Sequence, residues 1–134
     1  MLSSQNHLNT LCQTIYDLLV DLGEIFTKQS EKEDLTQIEF FYKKLHQERV
    51  LKYSEERLMP YVKQIKKRQI SYFEKNIDLV FAGLEKDRVN YYKEIVLDKE
   101  SERLSQDDFN VIWAYLDAMI ASIELYKKFE KEQT

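Results

Sequence analysis

The stretch IWAYLDAMIASIELY, residues 112–126, is the most apolar part of the chain. It can be read as a membrane span, a core helix or a surface for a partner, and the choice decides the fold. A span needs about 20 mostly apolar residues, and Asp117 and Glu124 interrupt this one. On a helix those two acids are seven apart and share a face, with Lys128 near the same line. Trp113, Leu116, Ile120 and Ile123 cover one side, and Ile112, Tyr115, Met119 and Tyr126 cover much of the remainder. Ala114, Ala118 and Ala121 are small enough to let another backbone approach. A helix apolar over most of its circumference has to touch more than one neighbour. The central helix of a bundle satisfies that without a partner; an oligomer or partner surface is the competing reading.

Composition supports helices throughout. The chain has 134 residues, 43% hydrophobic and 33% charged, which is globular in character and one domain's worth of material (1–134). Two glycines and one proline leave too few turn residues for an all-β fold. A net charge of −4 gives no general attraction to nucleic acid or acidic membranes. Cys12 is the single cysteine, so no intramolecular disulfide or CxxC site exists, and a reducing, cytoplasmic setting is expected. The start, MLSSQNHLNTLCQ, has neither a basic region nor an apolar one, so no signal peptide is expected.

Working outward, the last helix opens after the polar run DKESERLSQDD (98–108), where Ser105 and Asp108 have capping-box spacing. Lys127, Lys128 and Lys131 gather at its far end, as a helix dipole prefers. In the first segment Leu8, Leu11, Ile15, Leu18, Leu22 and Ile25 alternate by three and four, a helical stripe from about Gln5 to Lys28. The run SEKED (30–34) reads as the first connection. Asp34 and Gln37 have capping spacing for a second helix over 35–53, with Ile38, Phe41 and Leu45 inward. Pro60 fits the first turn of a third helix or a kink in a longer one. Ile70, Phe73, Ile77, Val80 and Leu84 then repeat, and Gly83 marks either a break or a close helix crossing. The expectation is an all-α, up-and-down bundle of about four helices, the third interrupted near Gly83 if the break is real.

Chemistry is sparse. Lys63, Lys66, Lys67 and Arg68 lie near Tyr61, Tyr72 and Phe73, a combination able to grip phosphates and stack bases. The plainer reading is a solvated face, because Ile65, Ile70 and Phe73 claim the inner side. His7 and His46 have no Glu three residues before them, so no metal site is expected. Cys12 lies five residues from His7, which on a helix points the two apart, and a small buried thiol is ordinary packing. Two glycines cannot build a phosphate loop. No enzyme and no cofactor are expected. Among nine tyrosines, Tyr91, Tyr92, Tyr115 and Tyr126 are interface candidates, since tyrosine buries area while keeping a polar tip; at bundle margins it is also commonplace.

Two segments, ERLMPYVKQIKKRQISYFEKN (56–76) and SQDDFNVIWAYLDAMIASIELY (105–126), resemble small helical proteins of large nucleocytoplasmic DNA viruses. In those an aromatic-rich segment precedes a terminal helix of the form Ile-Trp-x-Tyr-Leu, matched here by Ile112, Trp113, Tyr115 and Leu116. Asp117 and Glu124 depart from the more aliphatic run that follows in that group. The resemblance implies a viral accessory or virion-associated protein, in host cytoplasm or virion, and transfers no catalytic residue. The chain is therefore expected to be a non-enzymatic interaction or structural module acting through self-association or a protein partner, with no membrane role. Nucleic-acid binding through residues 63–68 is the alternative.

Overall fold

The computed structural model describes residues 4–133; the first three residues of the segment read for a leader lie outside the described residues, as does Thr134. Every regular element among them is helical: α1 (Ser4–Ile25), α2 (Gln29–Lys43), α3 (Gln47–Leu58), a 3-10 turn (Met59–Tyr61), α4 (Val62–Lys66), α5 (Tyr72–Val80), α6 (Lys86–Leu97) and α7 (Gln106–Gln133). The all-α expectation holds. The expected count of about four helices does not, because six helices have nine residues or more.

The frame is α1 against α7, the most extensive helix pair. They run antiparallel: His7 lies edge-on to Phe129 at one end, and the Tyr115 hydroxyl bonds to Asp21 at the other. Leu8, Leu11, Ile15, Leu18 and Leu22 of α1 are buried, as the stripe predicts, and Ile25 at its end is half-buried. The opening stretch supplies the other half, with Ile112, Trp113, Leu116, Met119, Ile120 and Ile123 buried. It is a core helix. No helix among the described residues is long and apolar enough to cross a membrane. α2 and α3 pack on α1, α3 and α4 on α7, and α5 joins α3 to α6, so that one cluster of buried residues runs through the molecule.

The middle of the chain departs from the sequence reading. SEKED is not a connection: α2 starts at Gln29, and Glu31 accepts the Lys28 amide at 3.2 Å, the capping role expected of the Asp34 region. Asp34 lies inside the helix and is buried. The expected 35–53 helix breaks at residues 44–46, which leaves Phe41 and Leu45 half-buried. Pro60 sits in the 3-10 turn, where its missing amide costs no helical bond. A second break follows α4. Arg68 takes φ 56° there, and the Arg68 and Gln69 amides bond back to the carbonyls of Ile65 and Gln64. That is a Schellman-type ending with arginine where glycine usually stands.

Of the two alternatives at Gly83 the break is the one that forms, and the loop it makes packs closely on α2. The chain breaks between α5 and α6 with φ 77° at Gly83, and a Cβ there would lie 2.6–2.7 Å from the Phe41 side chain of α2. Gly83→Ala therefore meets a left-handed backbone and an occupied space together. It is expected to destabilise by about 2–4 kcal/mol, read as a lower denaturant midpoint at unchanged slope. Trp113, 2% exposed, is expected to emit in the blue and resist iodide quenching in the folded chain.

Candidate functional site

The densest polar constellation joins α2 to α6 and to the α6–α7 loop. Glu31 and Asp34 are one turn apart on the inner face of α2, in line with Leu35, Ile38 and Tyr42. Arg103 from the loop places Nη2 at 2.9 Å from each Glu31 oxygen, and the Tyr91 hydroxyl donates to Glu31 at 2.5 Å. Asp34 Oδ2 accepts from Arg88 Nε at 2.9 Å, Arg88 Nη2 at 2.7 Å and the Tyr92 hydroxyl at 2.6 Å. Each carboxylate thus has one guanidinium and one phenol. The Glu31 side chain is wholly buried, so an unpaired charge there would be costly. Burial alone would raise its pKa; hydrogen bonds from Tyr91, Arg103 and the Lys28 amide overcome this and hold it below the usual carboxylate range. Burial and the bond to Asp34 push the Tyr92 phenol well up.

A second constellation ties α3 to α5. Tyr53 donates to the Asp78 carbonyl at 2.6 Å, Arg57 Nε bonds to the Asp78 carboxylate at 3.0 Å, and Tyr72 donates to the Arg57 carbonyl at 2.7 Å. The Arg57 guanidinium lies 3.6 Å over the Tyr53 ring. Burial and the nearby Asp78 charge push Tyr53 up to about 12. These groups hold α3 and α5 together, with the Asp78 carboxylate still open to solvent on its outer side.

The four candidate tyrosines do not form one surface. Tyr92 is fully buried, its ring stacked 4.1 Å from Phe81, which removes it from any interface. Tyr91 is half-buried against Glu31, Tyr115 bonds across to Asp21 of α1, and Tyr126 is half-buried far along α7. The basic segment also divides. Lys63, Lys66 and Lys67 are exposed and enter no ion pair among the described residues. Arg68 turns back, with Nη2 2.7 Å from Asp117 and the guanidinium 5.8 Å from the Trp113 ring. Of the three aromatics in that reading, Tyr72 and Phe73 are buried and cannot stack on bases, while Tyr61 is half-buried.

His46 precedes α3 at the surface, and Cys12 is buried, its thiol pushed up by burial. Among the described residues no three His, Cys, Asp or Glu side chains gather as metal ligands would. A cavity of about 210 Å³ lies between the ends of α6 and α7, walled by Ile70, Ile95, Leu104, Phe109 and Trp113. Arg68 and Glu102, both at positive φ, line its rim. Outward apolar side chains remain on α1, α2 and α7: Val20, Phe40, Val111 and Leu125.

Sequence reading missed the Glu31–Asp34 pair because SEKED looks like a solvated loop. One signal was available: counting back from Tyr42 and Ile38 through Leu35 places Glu31 on the same inner line. No family model, curated protein or solved structure matches the chain.

Because Glu31 titrates below its ordinary value of about 4.3, its contribution to stability is complete above that pH. It is lost as pH falls through the lower folded value. Glu31→Gln is expected to cost about 3 kcal/mol at neutral pH by stranding Arg103. The variant and the parent should converge in acid, as followed by urea melts across pH.

Proposed function

We propose that this chain is a non-enzymatic interaction or structural module working through self-association or a protein partner, with the outer face of α7 as its contact surface. One observation supports the reading above others. Val111 and Leu125 stand 37% and 50% exposed on the outer line of a helix whose other faces are sealed against α1, α3 and α4. Large apolar side chains aligned on a rigid helix suit an interface, where burying them is favourable at little ordering cost. A viral accessory or virion-associated setting, in host cytoplasm or virion, is the context implied by the resemblance around Ile112–Leu116.

Nucleic-acid binding is the second reading, favoured by Lys63, Lys66 and Lys67 on one exposed turn, with no ion pair among the described residues. It has lost Arg68 to Asp117 and two of its three aromatics to the core, Tyr61 alone staying half-exposed, so such binding would be chiefly electrostatic and salt-sensitive.

Affinity capture from the native source, with and without nuclease, separates the two. The interaction module is expected to keep its partners after nuclease and to lose them with Ala118→Asp on the outer face of α7. Partners that vanish with nuclease, and equally with Lys66→Glu/Lys67→Glu, would overturn it in favour of the basic turn.

A further inference from the structure

Among the exposed residues of α7, Val111, Ala114, Ala118, Ala121 and Leu125 form one line spaced three, four, three and four, with exposed Asn110 and Glu124 beside it. That is the a/d spacing by which helices pair side by side. Asp107 continues the line four residues before Val111, and Lys128 three after Leu125. Both are exposed, and neither enters an ion pair among the described residues.

The line is complementary to its own reverse. Two copies laid antiparallel about Ala118 set Val111 against Leu125 and Ala118 against itself, and bring Ala114 to within one residue of Ala121. The same arrangement brings Asp107 of each copy to within one residue, about 1.5 Å along the axis, of Lys128 of the other, well inside the reach of a lysine side chain. A parallel pairing would oppose Asp107 to Asp107 and Lys128 to Lys128, and would align the helix dipoles unfavourably. An isologous contact of this kind closes as a dimer and leaves no end to propagate. Three flanking groups are already fixed: Asp117 is held by Arg68, Tyr115 by Asp21, and Ser122 Oγ donates to the Ala118 carbonyl at 3.1 Å. Little order has to be created on docking.

We propose that the occupant of this face is a second copy of the chain, joined through an antiparallel α7–α7 seam with its two-fold axis at Ala118. This deepens, and rests on, the reading of α7 as a contact surface. Three alanines at the centre let the helices approach to the near end of the usual range, about 8 Å. The Val111–Leu125 pairs close the two ends. The seam is only about 21 Å long, so the contact belongs to the small class, with dissociation on the order of micromolar.

Sedimentation velocity over a micromolar concentration series tests the proposal. The parent is expected to move from monomer to dimer, and Ala118→Asp to stay monomeric with unchanged helicity, since the site is exposed. Asp107→Lys and Lys128→Asp should each weaken the dimer roughly threefold to tenfold, and together restore it to within about twofold. Orientation is read by oxidation with Cys12 left in place in the core. Ala118→Cys should cross-link with itself, and Val111→Cys should cross-link with Leu125→Cys more than either does alone. A chain that stays monomeric throughout, or a dimer indifferent to Ala118→Asp, overturns the seam. If the chain is monomeric but Ala118→Asp still releases a captured protein, the second copy is wrong and the contact-surface reading survives. If Ala118→Asp changes neither measurement, both fall.

Discussion

Two long helices lying antiparallel, α1 and α7, set the geometry that every other element follows. α7 brings an apolar arc too wide for one neighbour, from Ile112 and Trp113 through Ile123, and α1 covers only part of it. The rest has to be closed by α3, α4 and the residues that follow them. Trp113 shows how: its ring lies 4.9 Å from Phe73 at the start of α5 and within reach of Arg68 past the end of α4. Short helices with breaks between them can wrap a long one in this way, whereas one straight third helix could cover only a single strip of it.

Wrapping brings polar groups inside, and the fold resolves them in pairs. The Glu31 and Asp34 side chains, placed inward by the register of α2, would be prohibitive if left alone. Arg88 reaches Asp34 from α6 and Arg103 reaches Glu31 from the loop that follows it, and Tyr91 and Tyr92 supply the remaining donors. A buried ion pair of this kind adds little net stability over an apolar replacement. Its consequence is specificity, because α6 and its following loop satisfy α2 in only one relative position. The Tyr53–Arg57–Asp78 group does the same for α3 and α5. Rigidity in this protein is thus assigned to hydrogen-bonded charges, and cohesion to the α1–α7 core.

This division explains what could be read from sequence. Periodicity survives where burial is continuous over many turns, so the stripe of α1 and the core character of residues 112–126 were legible, as was the Ser105–Asp108 cap, whose two hydrogen bonds form at 3.0 Å each. The breaks at residues 44–46 and 67–71 were not, since neither contains glycine or proline. Arg68 holds a left-handed backbone because its side chain gains Asp117 and the Trp113 face, partners 49 and 45 residues away that no local pattern encodes. Glu31 and Asp34 misled for a related reason: a charge run announces solvent unless its counter-charges, here in residues 88 and 103, are known. Gly83 did signal its break, since only glycine fits both its φ and its distance from Phe41.

The same logic bears on the outer side of α7. Ala114, Ala118 and Ala121 made the opening stretch look apolar all round, yet they face outward, away from the core that gives the stretch its stability. Alanine on an exposed helix is accounted for by propensity. Valine is not, and Val111 stands on the same line, with Leu125 two heptads on. A straight helix drifts about 20° per heptad against a seven-residue repeat. Over this length the drift stays within the arc that one facing helix can cover without supercoiling. The spacing, the two apolar ends and the oppositely charged flanks therefore describe a surface of the length and shape of one further helix. That is what distinguishes it from the isolated Val20 and Phe40, which lie on α1 and α2 with no such line between them.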